Sequence, residues 1–155
     1  MQDHLLAGIN HVATITRDMD RLLMFYDEVF GAHPQFDLVA PGLELRHVAV
    51  DLGGAFLHAW EVPEGHTGPF PRQMFKRGRV DHLALAARDE DALETLRKRL
   101  VAAGACEGNI TDFGAILSVW FTDPDGMEME VCCFKAGVPI GEARDPVPAE
   151  TTSGR

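Results

Sequence analysis

Apolar and polar residues alternate over residues 8–16, with Ile9, His11, Ala13 and Ile15 on one face and Asn10, Val12 and Thr14 on the other, the period of a β-strand. After Asp18 the period changes. Leu22, Leu23, Phe25, Tyr26, Val29 and Phe30 recur at helical spacing; Asp18 suits an N-cap and Gly31 a C-terminal stop, so a helix is predicted over about 19–30 with Tyr26 in its buried stripe. Three β-prone runs follow at 35–39, 44–52 and 55–62, separated by Pro41-Gly42 and Gly53-Gly54. On the last run Phe56, His58 and Trp60 share a face.

The second half replays this order. A strand is predicted over 79–87 with His82, Ala84 and Ala86 on one face, then a helix over about 90–103 begun by Asp89 and ended by Gly104, with Leu93, Leu96 and Leu100 in its apolar stripe. Strands are predicted near 106–112, 115–121 and 127–134, the last two joined at the Asp123-Pro124-Asp125-Gly126 turn. At an offset of 71 positions His11 matches His82, Ala13 matches Ala84, Arg17 matches Arg88, Asp18 matches Asp89 and Leu22 matches Leu93. Aspartate recurs at helix starts for local reasons, but the recurring histidine has no such local cause. Between the halves, residues 63–78 are rich in Pro and Gly and read as a linker, in which Phe70, Met74 and Phe75 suggest packing on another surface. Residues 136–155 show no apolar period and read as a tail that is flexible or laid across a surface.

Composition narrows the class. The chain of 155 residues is 46% hydrophobic and 25% charged, ordinary for a globular domain, and no apolar run approaches membrane-spanning length. Its first residues have no basic segment followed by an apolar one, so a cytoplasmic location is expected. A net charge of -10 opposes binding to the phosphate backbone of a nucleic acid, and the cluster Arg72, Lys76, Arg77 and Arg79 reads as a solvated linker rather than a contact for an anionic substrate. Cys106, Cys132 and Cys133 form no disulfide framework or metal-binding spacing and read as small hydrophobes.

The chemistry concentrates elsewhere. Glu128 and Glu130 share a strand face with Cys132 while Met127, Met129, Val131 and Cys133 occupy an apolar face, a costly place for carboxylates unless they are solvated or bound to something positive. His58 lies almost as far beyond His11 as Glu130 lies beyond His82. If the halves are structural copies, these four form two matched pairs. Three imidazoles and a carboxylate suit one divalent ion of the Fe, Ni, Zn or Mn kind, whereas Ca or Mg prefers mostly oxygen. A lone histidine on an apolar strand face is more often a half-exposed side chain than a ligand, so the match between positions carries the reading. His4, His33, His47 and His66 have no matching position and are assigned no role; Glu61 and Glu128 are taken as exposed-face residues or as supports behind the metal ligands, and Phe56 and Trp60 as pocket wall or sheet packing.

With Asn10-His11-Val12 and Asp81-His82-Leu83 opening the halves, and Glu130 following the Asp123–Gly126 turn, the chain resembles the vicinal oxygen chelate superfamily over about residues 8–135. That group contains glyoxalase I, methylmalonyl-CoA epimerase, fosfomycin and bleomycin resistance proteins and extradiol dioxygenases. The resemblance implies an α+β fold of two tandem βαβββ modules, curled mixed sheets around a central cleft, forming one domain over residues 1–135. Module 1 would span about 8–62 and module 2 about 79–135. It implies His11, His82 and Glu130 as metal ligands and places His58 where glyoxalases usually carry Glu and epimerases often carry Gln.

A metal-dependent enzyme that chelates a small substrate through two adjacent oxygens is therefore expected, with a homodimer as the expected assembly. If His58 also ligates, four protein ligands leave two positions of an octahedral ion open, which suits a lyase or isomerase working through an enediolate, with Glu130 as ligand and base. If it does not, His11, His82 and Glu130 form a two-histidine, one-carboxylate triad suited to Fe(II) and extradiol-type dioxygenation, with His58 as an acid or base beside the metal. The alternative from another class is a metal-free small-molecule (drug) binding protein of the bleomycin-resistance type.

Overall fold

The computed structural model describes residues 9–64, 81–139 and 143–149. The chain divides into two compact units, Met1–Gly68 and Pro69–Arg155. Most of the 63–78 linker lies outside the described residues, as do His4, His66, Phe70, Met74, Phe75 and the cluster Arg72, Lys76, Arg77 and Arg79. No helix among the described residues is long and apolar enough to cross a membrane.

Unit 1 runs β1 (His11–Thr16), α1 (Met19–Phe30), β2 (Pro34–Ala40), β3 (Leu45–Asp51) and β4 (Phe56–Glu61), with sheet order β1-β4-β3-β2. β1 lies parallel to β4, and the other pairings are antiparallel. The Asp18 carboxylate accepts the Arg21 N–H to start α1, and Gly31 ends it in the left-handed region at φ 65°. Because α1 must bury its apolar stripe, Met19, Leu22 and Tyr26 pack on Val48, Val50, Leu57 and Ala59 from one face of the sheet. Strand alternation then puts His11, Ala13, His47, Ala49, His58 and Trp60 on the opposite face. Glu61, expected on an exposed face or behind a metal ligand, caps the helix: its Oε1 accepts the Met19 N–H at 2.8 Å.

Unit 2 repeats the order with β5 (Leu83–Ala86), α2 (Glu90–Ala102), β6 (Thr111–Gly114), β7 (Ile116–Thr122) and β8 (Glu128–Phe134), and adds β9 (Ala143–Pro148); its sheet order is β5-β8-β7-β6-β9. Asp89 caps α2 by accepting the Ala92 N–H at 2.7 Å. Leu93 and Leu100 of α2, with Val119, Phe121, Met129, Val131 and Cys133 of β7 and β8, are buried. The two units are thus βαβββ modules with mixed sheets of four and five strands, the predicted α+β class.

Three predicted boundaries need correction. The strand placed near 106–112 begins only at Thr111, because Gly108 at φ 83° breaks the extended backbone. Of the strand placed over 79–87, positions 79 and 80 lie outside the described residues; β5 covers Leu83–Ala86, and His82 stands just ahead of it. Part of the expected tail is a strand: β9 adds antiparallel to β6, pairing Val147 with Asp112 and Pro148 with Thr111. Its two prolines are tolerated because β9 is the edge strand of the sheet.

Candidate metal centre

In unit 1 the β1–β4 ladder sets Ala13 opposite His58. His11, two residues earlier on the same face, thereby stacks on His58 with ring centroids 4.3 Å apart. Asn10 Oδ1 accepts from His11 Nδ1 at 2.8 Å, so that Nε2 is the ring nitrogen not engaged by Asn10. His58 Nδ1 lies 3.0 Å from His47 Nε2, and His47 stacks on Trp60 at 3.7 Å with the rings 8° from parallel. Burial, and secondarily the neighbouring His11, pushes the His58 pKa below the usual histidine value. Burial does the same to His47, helped by His58 and His11. Both imidazoles are therefore held neutral, the state that ligates metal.

Unit 2 builds its pair in the same register. Ala84 stands opposite Glu130 across the β5–β8 ladder, and His82, two residues before Ala84, reaches Glu130 with Nε2 3.2 Å from Oε2. Asp81 Oδ2 accepts from His82 Nδ1 at 2.9 Å. The Trp120 ring meets His82 edge-on at 4.6 Å. Glu130 is buried, at 8% exposure, so the carboxylate that the strand pattern marked as costly is indeed withdrawn from water. Burial, with the Glu130 charge beside it, pushes the Cys132 thiol up to about 11, which keeps it protonated. The three cysteines are free thiols; Cys133 is buried, and Cys106 and Cys132 are half-buried.

The modules differ in how they fill the ladder around these positions. In unit 1 the small Ala49 faces His58, while His47 faces Trp60. In unit 2 the large Trp120 faces Glu130, while Ser118 faces Cys132. Bulk is exchanged between the two ladder rungs. Trp120 also lines a cavity of about 480 Å³, together with Cys106, Glu107, Asn109, Thr122 and Glu128 among others. Trp120 thus touches both the cavity and the His82 ring, while His82 and Glu130 themselves are not among the cavity's lining residues.

The four predicted ligands are brought together as two pairs, His11 with His58 and His82 with Glu130. Among the described residues no group of three or more His, Cys, Asp and Glu side chains is gathered into a ready-made metal cage. His33, assigned no role, is engaged with Asp27 at 2.9 Å, away from these pairs. His47, assigned no role from the sequence, stands in contact with His58. Its signal was the alternation of its own strand: Val48 and Val50 form the apolar face, so His47 and Ala49 must occupy the other.

The model of the Glyoxalase/Bleomycin resistance protein/Dioxygenase superfamily matches residues 8–131. Among solved structures, a glyoxylase/bleomycin resistance protein/dioxygenase domain from Frankia sp. EAN1pec superposes with a TM-score of 0.67 at 24% identity, over 85% of this chain and 95% of that one. The fosfomycin resistance protein FosX from Listeria monocytogenes, solved with Mn(II) and sulfate, superposes at 0.60 with 15% identity, over 85% and 96% of the two chains. A glyoxalase/dioxygenase from Nostoc punctiforme gives 0.59 and 21%, over 87% and 99%. At these identities the structural likeness speaks for the fold.

Proposed function

Since this chain belongs to the glyoxalase/bleomycin resistance protein/dioxygenase superfamily, we propose that it is a metal-dependent enzyme acting on a small molecule with two adjacent oxygen atoms. His11, His58, His82 and Glu130 are assigned as ligands of a divalent ion of the Fe, Ni, Zn or Mn kind. The observation that carries this reading is shared by all three histidines. Each has Nδ1 engaged by a neighbour, Asn10 Oδ1, His47 Nε2 or Asp81 Oδ2. An imidazole held at Nδ1 offers Nε2 to a metal, and such orienting partners are the usual support of ligating histidines. A buried carboxylate beside the third imidazole completes a donor set of borderline character.

A bound divalent ion supplies Lewis acidity, stabilising negative charge on a substrate oxygen. The protein's residues do the rest. His58, stacked on His11, favours four protein ligands over three, and so favours lyase or isomerase chemistry over dioxygenation. Glu130 is assigned the base that removes a proton from the carbon beside the substrate oxygens. The cavity next to Trp120, at about 480 Å³, has the size of a small-molecule site, which runs roughly 300–1,000 Å³.

Metal analysis of protein purified without chelator tests this. About one equivalent of metal per chain is expected, lost in the Glu130→Ala protein. Less than about a tenth of an equivalent, with no gain on adding Fe, Ni, Zn or Mn, overturns the reading in favour of a metal-free binding protein.

A further inference from the structure

We propose that His47 is a positioning residue: it accepts the Nδ1–H of His58 and so makes Nε2 the ligating atom of that imidazole. This rests on His58 being a ligand.

Two imidazoles 3.0 Å apart share one hydrogen bond, in which one nitrogen donates and the other accepts. Either direction is possible for the isolated pair. The other two histidines of the site resolve it by example. Asp81 Oδ2 and Asn10 Oδ1 are acceptors, so His82 and His11 carry their protons on Nδ1. If His58 follows the same rule, His47 Nε2 is the acceptor, and His47 holds its own proton on Nδ1. The opposite direction would leave His58 with a proton on Nε2, unable to ligate there.

His47 is built to hold this orientation. Its ring is sandwiched on the Trp60 face at 3.7 Å and meets the edge of Phe36 at 4.9 Å, so it cannot turn its nitrogens freely. Ala49, directly across the ladder from His58, leaves room for the His58 ring beside His47. The second module supplies an independent control. There Glu130 takes the ladder place of His58, and Ser118 takes that of His47. A carboxylate has no tautomer to set, and at that position the imidazole is gone.

The test uses long-range proton–nitrogen NMR spectra of the metal-free full chain, followed by titration with Mn(II) and Zn(II). In the wild type, His58 is expected to show a pyrrole-like Nδ1 and a pyridine-like Nε2. His47→Phe keeps the ring stack but removes the acceptor; it should shift His58 toward the Nε2–H tautomer and weaken metal binding by about 10–100-fold. His47→Gln, which restores an acceptor oxygen, should recover most of both. An Nε2–H tautomer of His58 in the wild type, or unchanged metal affinity in His47→Phe, overturns the proposal. Failure of the metal reading itself is distinguishable, because it shows as a wild type that binds neither ion whatever its tautomer, and it overturns the ligating half of this inference with it.

Discussion

His82 stands between two carboxylates, with Nδ1 2.9 Å from Asp81 Oδ2 and Nε2 3.2 Å from Glu130 Oε2. The two contacts have different consequences. On the proposed metal reading, Glu130 faces the nitrogen that would ligate the ion, whereas Asp81 engages the other nitrogen of the ring. Glu130→Gln is therefore expected to remove a charged ligand and lower metal affinity by more than about 100-fold, and Asp81→Asn to lower it by about 10–100-fold. Isothermal titration with Mn(II) or Zn(II) measures both. Equal, small losses in the two variants would sink the assignment of Glu130 as a ligand.

Glu61 is a structural carboxylate, despite sitting on the strand next to His58. Its Oε1 accepts the Met19 N–H, one of the donors that a helix start leaves without an intrahelical partner. Glu61→Ala should cost about 1 kcal/mol, the usual worth of a helix-capping side chain, while leaving metal affinity unchanged. Urea denaturation beside a metal titration checks the pair of outcomes; a weakened metal site at full stability would contradict it.

Among the described residues of unit 2, Asp112 and Lys135 form the least exposed pair of a Lys or Arg with a carboxylate. Lys135 Nζ reaches both Asp112 oxygens, at 3.1 and 3.0 Å, and the Gly114 N–H reaches Oδ1 at 2.8 Å. Lys135→Met leaves a carboxylate at 8% exposure without its cation, at an expected cost of about 2–4 kcal/mol. Asp112→Asn combined with Lys135→Met should recover a good part of that loss, because the uncompensated charge is gone. A double-mutant cycle by chemical denaturation measures the coupling, and simple additivity would show the pair to be energetically idle.

What the sequence shows of this fold follows the range of the interactions. Asp18, Asp89 and Gly31 act within one helical turn of where they stand, so helix bounds are legible from local chemistry. The matched positions of His11 and His82 are legible because the repeat makes one half a check on the other. The contact of His47 with His58 was hidden because it appears only once β3 and β4 are paired and the core face is assigned. Glu61 was hidden because its partner is the backbone of an element 42 positions away. β9 was hidden because its Pro146 and Pro148 argue locally against a strand, and only an edge position relieves that objection. Trp120 was hidden for a further reason: the exchange of bulk between Ala49 and Trp120 is a property of two ladders compared, visible in neither strand alone.

Asp123 gives the fold a pH dependence whose sign is opposite to that of a salt-bridged carboxylate. Burial in the β7–β8 turn pushes its pKa up from 3.8 to about 6; the nearby Asp125 charge adds to this, and hydrogen bonds from the Met127, Asp125 and Gly126 backbone N–H groups oppose it. Between these values the folded state holds more protons than the unfolded chain, so stability falls as pH rises through the window from about 4 to about 6. Asp123→Asn keeps the oxygen that accepts the Asp125 and Met127 N–H groups, at 2.9 and 2.8 Å, and loses only the charge. The variant should therefore be more stable than wild type at pH 7, by on the order of 1–3 kcal/mol, and the difference should shrink toward zero as pH falls below about 4. Denaturation midpoints of both proteins at pH 4, 5, 6 and 7 measure it. A wild type whose stability rises across that window faster than the variant's would show instead that the turn's N–H groups stabilise the carboxylate more than burial penalises it.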